Sequence, residues 1–239
     1  MNEIPDHSVD LVICDLPYGV TKNKWDCQLP LEELWKQYDR VCKDSAPIIL
    51  FGQSLFSAKL ILSNEKMFRY NLIWDKVLST GFLNANRMPL RRHEEILIFY
   101  KKMPTYHPQK VGGVPSHSVG KALGKDSSAL TNNNYGNFVR QQTDGEMKHP
   151  TSILRFQKPH PSITVHPTEK PVELIEWLIR SYSNDGDMVL DNCMGSGTTG
   201  VAAGNLNRGF IGIELDEGYF TIAQQRIGAA VNDIQNNLH

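Results

Sequence analysis

The sequence predicts an α/β fold in which a mainly parallel β-sheet is covered by helices on both faces. Short apolar runs alternate along the chain with segments whose apolar residues recur at helical spacing. A glycine-rich turn also follows a predicted strand near the carboxyl end, as is typical of doubly wound sheets. The 239 residues are enough for one large domain that carries an insertion.

The amino-terminal half alternates strands with helices. Its strands are short runs of apolar and β-branched residues, and its helices repeat apolar residues every three or four positions, with Ser54 as a candidate N-cap. The predicted elements are a strand at Asp10–Cys14, a helix at Leu31–Lys43, a strand at Pro47–Phe51, a helix at Ser54–Glu65, and strands at Tyr70–Trp74 and Glu95–Tyr100.

The carboxyl-terminal half resumes this alternation. Pro171 opens a helix with an amphipathic stripe, because the first turn tolerates a missing N–H. The predicted elements are a helix at Pro171–Tyr182, a strand at Met188–Cys193, a helix from about Thr198, a strand at Gly209–Leu215 and a last helix from about Gly218.

Residues 103–160 interrupt the pattern. They are rich in Gly, Ser, Asn, Pro and His, so we predict an irregular insertion between the two halves, 1–102 and 161–239, of one α/β domain. Between Asn84 and Lys158 there are twelve Lys and Arg against five Asp and Glu, although the whole chain has a net charge of −1. The composition alone is equally compatible with a surface for a phosphate backbone and with a solvated loop.

The composition excludes several classes of protein. No apolar stretch is long enough to cross a membrane and no targeting segment is evident, so we expect a cytoplasmic protein with no membrane partner. The four cysteines lack paired spacing and the eight histidines lack ligand spacing. We therefore predict reduced thiols and no metal site.

Residues 191–200 read DNCMGSGTTG and contain the pattern G-x-G-x-x-G between a predicted strand and a predicted helix. Glycines allow a tight turn and a close approach of the backbone to a ligand. Glu214 and Asp216 follow at the end of the next strand, where a carboxylate can accept hydrogen bonds from ribose hydroxyls. The combination predicts a Rossmann-like site for an adenosine-containing ligand, either NAD or S-adenosylmethionine.

Residues 15–19 read DLPYG and directly follow the first predicted strand. Asp15 would therefore lie at the same edge of the sheet as the glycine turn. Pro17 biases Leu16 to extended backbone, so the Leu16 carbonyl and the Asp15 carboxylate could project together as two acceptors. Two acceptors suit the two hydrogens of an exocyclic amine of adenine or cytosine, and Tyr18 offers a ring on which a flipped base could stack.

These motifs resemble those of the amino-directed DNA methyltransferases, whose catalytic motif is Asp/Asn/Ser-Pro-Pro-Tyr and whose cofactor motif ends in Gly-x-Gly. The order of DLPY, basic insertion and DNCMGSGTT is similar to that of the circularly permuted β group. HPTEKP at 166–171 and RHEEIL at 92–97 are further likenesses. The resemblance implies a Rossmann-like methyltransferase fold, S-adenosylmethionine as cofactor, double-stranded DNA as partner, and 103–160 as target-recognition region.

The resemblance also implies roles for single residues. Asp15 and the Leu16 carbonyl would orient the target amine, Tyr18 would stack on the base, and Thr168 and Lys170 would lie near the cofactor's carboxylate. The catalytic residues that it implies are Asp15, Leu16, Pro17 and Tyr18. The cofactor-binding residues that it implies are Asp15, Thr168, Lys170, Asp191, Cys193, Gly195, Ser196, Gly197, Thr198, Glu214 and Asp216.

Basic residues beside the predicted cleft and in the insertion are candidates for contact with the DNA backbone. They are Lys22, Lys24, Arg87, Arg91, Arg92, Lys110, Lys121, Lys125 and Arg140. The alternative for Lys22 and Lys24 is a solvated loop without a specific role. The alternative for Arg87, Arg91 and Arg92 is that they merely end a strand. Trp74 and Trp177 lie in regular elements, and we predict that they belong to the core.

Three features depart from the family pattern. Leu16 replaces the first proline of the catalytic motif, and Cys193 stands where the family usually has phenylalanine. The family also carries a strand upstream of the catalytic motif, which this sequence begins too late to encode. We therefore expect either a truncated start or an absent amino-terminal edge strand, and we expect Met1–His7 to be the tail of the helix that would follow that strand.

The leading hypothesis is a site-specific DNA methyltransferase that modifies N6 of adenine, as in restriction–modification, because N4-cytosine members usually begin the motif with serine. The alternatives are an N4-cytosine DNA methyltransferase and a catalytically impaired DNA-binding relative. An NAD-dependent oxidoreductase and an amine methyltransferase that acts on protein or RNA also stay open. The oligomeric state also stays open between a monomer and a homodimer.

Overall fold

The computed structural model describes residues 1–19, 29–112, 129–132, 136–139, 147–158 and 169–237, with backbone alone at 129–132, 136–139 and 233–237. The chain divides into two compact units. The larger unit consists of Met1–His107 with Ser152–His239, and the smaller unit is Pro108–Thr151.

Outside residues 103–160 the described elements follow the predicted order, whereas that segment, predicted to be irregular, contains five described short strands. In chain order the strands are β1 (Leu11–Cys14), β2 (Ile48–Gly52), β3 (Phe68–Thr80), β4 (Arg91–Phe99), β5 (Val111–Gly112), β6 (Ala129–Asn132), β7 (Gly136–Val139), β8 (Met147–Lys148), β9 (Ile153–Arg155), β10 (Met188–Asp191) and β11 (Gly209–Gly212). The helices are α1 (Leu31–Val41), α2 (Leu55–Ser63), α3 (Val172–Tyr182), α4 (Thr198–Asn205) and α5 (Glu217–Asn237), and a 3₁₀ turn spans Phe82–Asn84.

The larger unit is built on a seven-stranded sheet of order β11-β10-β1-β2-β4-β3-β9. Strands β11, β10, β1 and β2 pair in parallel, and so do β3 and β9. Strand β4 is antiparallel to both of its neighbours, β2 and β3. The predicted α/β fold with a mostly parallel sheet is confirmed. The reversed β4 was not predicted, because an apolar run does not encode strand direction.

Helices cover both faces of this sheet, since successive side chains of a strand point to opposite faces. Val12 and Leu50 pack with α1 and α2, whereas Ile13 and Ile49 pack with α3 and α4. All four side chains are at most 1% exposed. Burial of each such side chain stabilises the fold by about 1.5–3 kcal/mol.

The strand β9 lies inside the segment 103–160 that was predicted to be the insertion. It pairs with β3, with Leu154 opposite Trp74, and the Trp74 Nε1 donates a hydrogen bond to the Phe156 carbonyl at 2.8 Å. The smaller unit is therefore shorter than the predicted insertion at both ends. Within it, β5 pairs antiparallel with β8, and β6 pairs antiparallel with β7.

The prediction that Met1–His7 is the tail of a helix is wrong. These residues form turns, and Arg40 on α1 donates hydrogen bonds to the Met1 carbonyl at 2.9 Å and the Ile4 carbonyl at 2.8 Å. Pro5 lacks an N–H and disfavours helical geometry in the residue before it, so a helix cannot run across this segment. Among the described strands, β11 and β9 form the two edges of the sheet.

Gly200 on α4 provides a test of the packing beneath the glycine-rich turn. A Cβ added there would lie 2.6 Å from Phe210 Cε1 and would also overlap the Ile227 side chain on α5. We expect Gly200→Ala to lower the free energy of unfolding by about 1–3 kcal/mol, because overpacking outweighs the gain in helix propensity. Urea denaturation measures the change.

Gly228 on α5 is the matched control, because a Cβ added there has nothing within 4 Å. Gly228→Ala should raise the free energy of unfolding by about 0.5–1 kcal/mol. Equal effects of the two substitutions would contradict the close approach of α4 to α5.

Candidate active site

A cavity of about 1000 Å³ lies at the edge of the sheet where β1, β10 and β11 end. Residues 15–18 after β1, 192–196 after β10 and 213–216 after β11 all line it. The carboxyl ends of neighbouring parallel strands meet at one edge, which is where doubly wound sheets bind ligands. The two motifs at opposite ends of the sequence therefore face the same space.

The Asp15 carboxylate is held by two donors. Its Oδ1 accepts a hydrogen bond from the Tyr18 hydroxyl at 3.0 Å, and its Oδ2 accepts one from Lys170 Nζ. Burial raises the pKa of Asp15, and the Lys170 ammonium opposes that rise. Because 25% of the side chain is exposed and each carboxylate oxygen has two lone pairs, Asp15 can still accept hydrogen bonds from a ligand.

Two further charged side chains extend the ion pairs from Lys170. Lys170 Nζ lies 3.4 Å from Glu94 Oε2, and Glu94 Oε1 lies 3.1 Å from Lys76 Nζ. Burial alone would raise the pKa of Glu94, but the ammonium groups of Lys170 and Lys76 lower it below its usual value. Lysine and glutamate are almost never buried unless they are paired, and here both carboxylates have a cation as neighbour.

The Tyr18 ring stacks on Phe56, with centroids 4.6 Å apart and an angle of 28° between the planes. One face of the ring is therefore covered by protein. Burial raises the pKa of Tyr18 well above its usual value, so its hydroxyl stays protonated as a donor to Asp15. The neighbouring Leu16 side chain is buried in the core, which anchors the backbone of the motif.

The glycine-rich turn is stabilised by Glu214. Gly195 has a φ of 51°, and its N–H donates to Glu214 Oε2 at 2.9 Å. Glu214 Oε1 accepts hydrogen bonds from the N–H groups of Leu215 and Asp216, each at 2.9 Å. The carboxylate predicted to bind a ribose thus lies between the turn and the end of β11, and it lines the cavity.

Asp191, at the end of β10, connects the strand to the first turn of α4. Its Oδ1 accepts a hydrogen bond from the Cys193 N–H at 3.1 Å, and its Oδ2 accepts one from Thr199 Oγ1 at 2.6 Å. Burial raises the pKa of Asp191 to about 6, although both donors lower it. These contacts give Asp191 a part in shaping the turn.

Ser196 links the glycine-rich turn to two residues that the sequence did not single out. Its Oγ accepts a hydrogen bond from Arg226 at 2.7 Å and donates one to Glu169 Oε2 at 3.3 Å. Arg226 also pairs with Glu169 Oε1 at 2.6 Å. Gly197, predicted to contact a cofactor, also packs closely against α5, where an added Cβ would lie 2.8 Å from Ala223 Cβ.

The remaining predicted residues divide into three groups. Several predicted cofactor residues line the cavity: Lys170, Asp191, Cys193, Gly195, Ser196, Thr198, Glu214 and Asp216. Some predicted DNA contacts are exposed: Arg87, Arg91, Arg92 and Lys110. Others lie outside the described residues: Lys22, Lys24, Lys121, Lys125, Arg140 and Thr168.

Two of the exposed arginines have partners. Arg91 lines the cavity and donates a hydrogen bond to Gln53 Oε1 at 2.6 Å. Arg92 binds both oxygens of Asp75, at 2.7 and 3.0 Å, and thereby lowers the pKa of Asp75 to about 2. Arg92 is therefore engaged within the protein in this structure.

The sequence analysis gave no role to three charged residues that line the cavity or lie beside it: Glu94, Lys76 and Lys158. Glu94 lies opposite Trp74 in the β3–β4 pairing, and Lys76 follows Trp74 at the spacing of two that shares a face. The signal that could have identified Glu94 and Lys76 is that both are charged residues at inward-facing positions of two adjacent strands.

Three further features concern the described residues. No group of three or more His, Cys, Asp or Glu there could hold a metal ion. No helix in this part of the chain is long and apolar enough to cross a membrane. Cys14 and Cys42 are buried free thiols, and Trp74 is 1% exposed.

Comparison with known proteins places these motifs in a family. The model of the family described as DNA methylase, N6_N4_Mtase, matches residues 9–225. The Type II methyltransferase M1.MboII of Moraxella bovis is 31% identical over 92% of this chain and 89% of its own length.

Two solved structures are similar in fold. The complex of M1.HpyAVI with SAM has a TM-score of 0.60 and 26% identity, and covers 91% of this chain and 88% of that one. The cytosine-N4-specific PvuII DNA methyltransferase has a TM-score of 0.63 over 98% of this chain and 88% of its own, at 16% identity, and shows likeness of fold alone. By its match over most of its length, the chain belongs to the N6/N4 DNA methylase family.

Proposed function

We propose that this protein transfers a methyl group from S-adenosylmethionine to the exocyclic N6 amine of a flipped-out adenine in double-stranded DNA. The observation that carries the proposal is that Asp15 and the glycine-rich turn line one cavity of about 1000 Å³. That volume is at the upper end of the range for small-molecule sites, so the cavity has room for a cofactor beside a base.

The residues around the glycine-rich turn suit S-adenosylmethionine. Glu214 and Asp216 supply carboxylates for the ribose hydroxyls, while Ile213 and Leu215 supply apolar surface beside them. Gly195 has no side chain to obstruct a ligand at the turn. Bound there, S-adenosylmethionine would supply an electrophilic methyl group, and this chemistry requires no covalent enzyme intermediate.

The residues of the catalytic motif would act on the target amine. The Asp15 carboxylate accepts a hydrogen bond from one N–H of the amine and the Leu16 carbonyl accepts one from the other N–H, which makes the nitrogen lone pair available for attack. The free face of the Tyr18 ring stacks on the base, since Phe56 occupies the opposite face. Closure of the site by DNA excludes water and strengthens these hydrogen bonds.

Adenine is the proposed target because the motif begins with an acidic residue. The alternative target within the family is N4 of cytosine, which is the specificity of the PvuII enzyme. The insertion 103–160 is the proposed target-recognition region, and Arg87 and Arg91 are proposed to contact the phosphate backbone near the cavity. Assembly as a homodimer is a further proposal that the sequence resemblance supports.

Modified-base sequencing tests the target. A plasmid from a host without DNA methylation, incubated with the protein and S-adenosylmethionine, should acquire N6-methyladenine at one recurrent sequence. N4-methylcytosine would refute the choice of base and leave the class of reaction intact. DNA that is bound but unmodified would favour a catalytically impaired relative.

Substitution of Asp15 tests the catalytic motif. We expect Asp15→Ala to lower kcat by at least about 100-fold, because an acceptor aimed at the reacting amine is lost. The Kd for S-adenosylmethionine should stay within about threefold. The control is Asp44→Ala, which removes an exposed carboxylate that pairs with Lys102 at 2.7 Å. Near-normal methyl incorporation by Asp15→Ala would refute the role.

Ligand-induced stabilisation tests the cofactor. At a concentration of about 100 times Kd, S-adenosylmethionine should stabilise the protein by about 2.7 kcal/mol, or about 5–10 °C in Tm. NAD should have no such effect. Glu214→Gln should weaken binding by about tenfold or more through the loss of a charged acceptor, while the exposed Glu217→Gln should not. Stabilisation by NAD alone would support an oxidoreductase.

A further inference from the structure

Four charged side chains, each at most 25% exposed, form a chain of ion pairs at the wall of the cavity; we call it the buried charge cluster. Its members are Asp15, Lys170, Glu94 and Lys76. Each comes from a different segment: Asp15 follows β1, Lys170 precedes α3, Glu94 lies on β4 and Lys76 lies on β3. The cluster therefore connects the catalytic motif with three other parts of the larger unit.

The charges of the cluster balance, with two carboxylates against two ammonium groups. Removing ions from water costs several kcal/mol each, and a buried ion pair often contributes no net stability over apolar residues of similar volume. Such a cluster at the edge of a ligand cavity is therefore better explained by the chemistry of the site than by stability.

Contacts hold the Lys170 ammonium in one place. It donates to Asp15 Oδ2, and it lies 4.9 Å from the centroid of the Phe51 ring and 5.9 Å from that of Trp74. Glu94 Oε2, at 3.4 Å, is buried and has no hydrogen-bond partner among the described residues. Lys170 thus bonds to Asp15 and is also attracted by Glu94.

We propose that Lys170 is a positioning residue for Asp15, with Glu94 and Lys76 as its balancing charges. Its ammonium fixes the Asp15 carboxylate in the orientation that leaves an acceptor lone pair toward the cavity, and it keeps that carboxylate ionised. This inference rests on the proposed function, in which the ionised Asp15 orients the target amine. It assigns Lys170 to the catalytic motif instead of to the carboxylate of the cofactor.

The charges around Asp15 determine the direction in which each substitution should shift its pKa. Burial and the Glu94 carboxylate raise the pKa of Asp15, and the Lys170 ammonium and the Tyr18 hydroxyl lower it. Asp191 lies on the neighbouring strand, within electrostatic reach. Removal of Lys170 should therefore raise the pKa of Asp15, and neutralisation of Glu94 should lower it.

Lys76 and Lys158 complete the set of groups that face the cluster. Lys76 bonds to Glu94, and Lys158 lines the cavity with its pKa lowered by burial and by Lys76 and Lys170. Neither lysine is replaced in the variants considered below, so the expected directions depend on Lys170 and Glu94.

The experiment compares Lys170→Met with Glu94→Gln. If ionised Asp15 is the active form, activity falls as pH falls through its pKa. The acid limb of the kcat profile should then move to higher pH in Lys170→Met and to lower pH in Glu94→Gln. At the pH where wild-type activity is half-maximal on that limb, Lys170→Met should be at least about tenfold slower, with the deficit shrinking as pH rises.

A direct titration provides a readout that needs no activity. Carbon-13 NMR of the aspartate carboxyl groups, with Asp15 assigned by its loss in Asp15→Asn, should show the same opposite shifts without any ligand. The double variant Lys170→Met/Glu94→Gln keeps the cluster neutral and should titrate between the two single variants. Lys102→Met, which breaks an exposed pair with Asp44, is the control and should shift neither measurement.

The outcomes separate this inference from its alternatives. Shifts in the same direction, or none, would overturn it. A loss of S-adenosylmethionine affinity of tenfold or more in Lys170→Met with unchanged kcat at saturation would assign Lys170 to the cofactor instead. Unfolding of both single variants would assign the cluster to stability and also overturn the proposal. If wild type transfers no methyl group, the proposed function fails, while the NMR titration still decides the effect of Lys170 on Asp15.

Discussion

The parallel pairing of β1 with β10 is the constraint on which the site depends. Leu11 lies opposite Val189 and Val12 lies opposite Leu190, so residues near the two ends of the sequence become neighbours. Because both strands are parallel, the chain leaves each at the same edge of the sheet, and the catalytic motif meets the glycine-rich turn there. Both faces of β1 are packed, so a slip in register would bury the wrong side chains on each face.

The reversed direction of β4 brings a third motif to the same edge. A strand that is antiparallel to β2 has its amino-terminal end where the parallel strands have their carboxyl-terminal ends. Arg91 and Glu94, near the start of β4, therefore reach the cavity from the side opposite to the glycine-rich turn. The segment RHEEIL thus owes its place in the site to a strand reversal.

Hydrophobic periodicity and turn chemistry were enough to predict β1–β4, β10, β11, the five α-helices and the edge of the sheet that carries the cavity, but not the short strands β5–β9. Strand direction and ion pairing were not predictable in this way. The β3 prediction ended at Trp74, because the charged residues Asp75 and Lys76 interrupt the apolar run. The strand nevertheless continues to Thr80, and Lys76 is buried against Glu94. A prediction that assigns every charged residue to the surface cannot identify a buried lysine whose counter-ion lies on another strand. For the same reason the sequence could not show that Gly197 packs against Ala223, which is distant in sequence and leaves no room for a side chain there.

Two successive residues connect the halves of the site. Glu169 bonds to Arg226 and Ser196, at the glycine-rich turn, and Lys170 bonds to Asp15, in the catalytic motif. Any shift of this short segment before α3 would therefore move contacts to both motifs together. The spacing between the place proposed for the methyl donor and the carboxylate proposed to orient the acceptor is held by these few bonds, and methyl transfer tolerates little error in such a spacing. The segment before α3 is thus as much a part of the site as the two motifs that it joins.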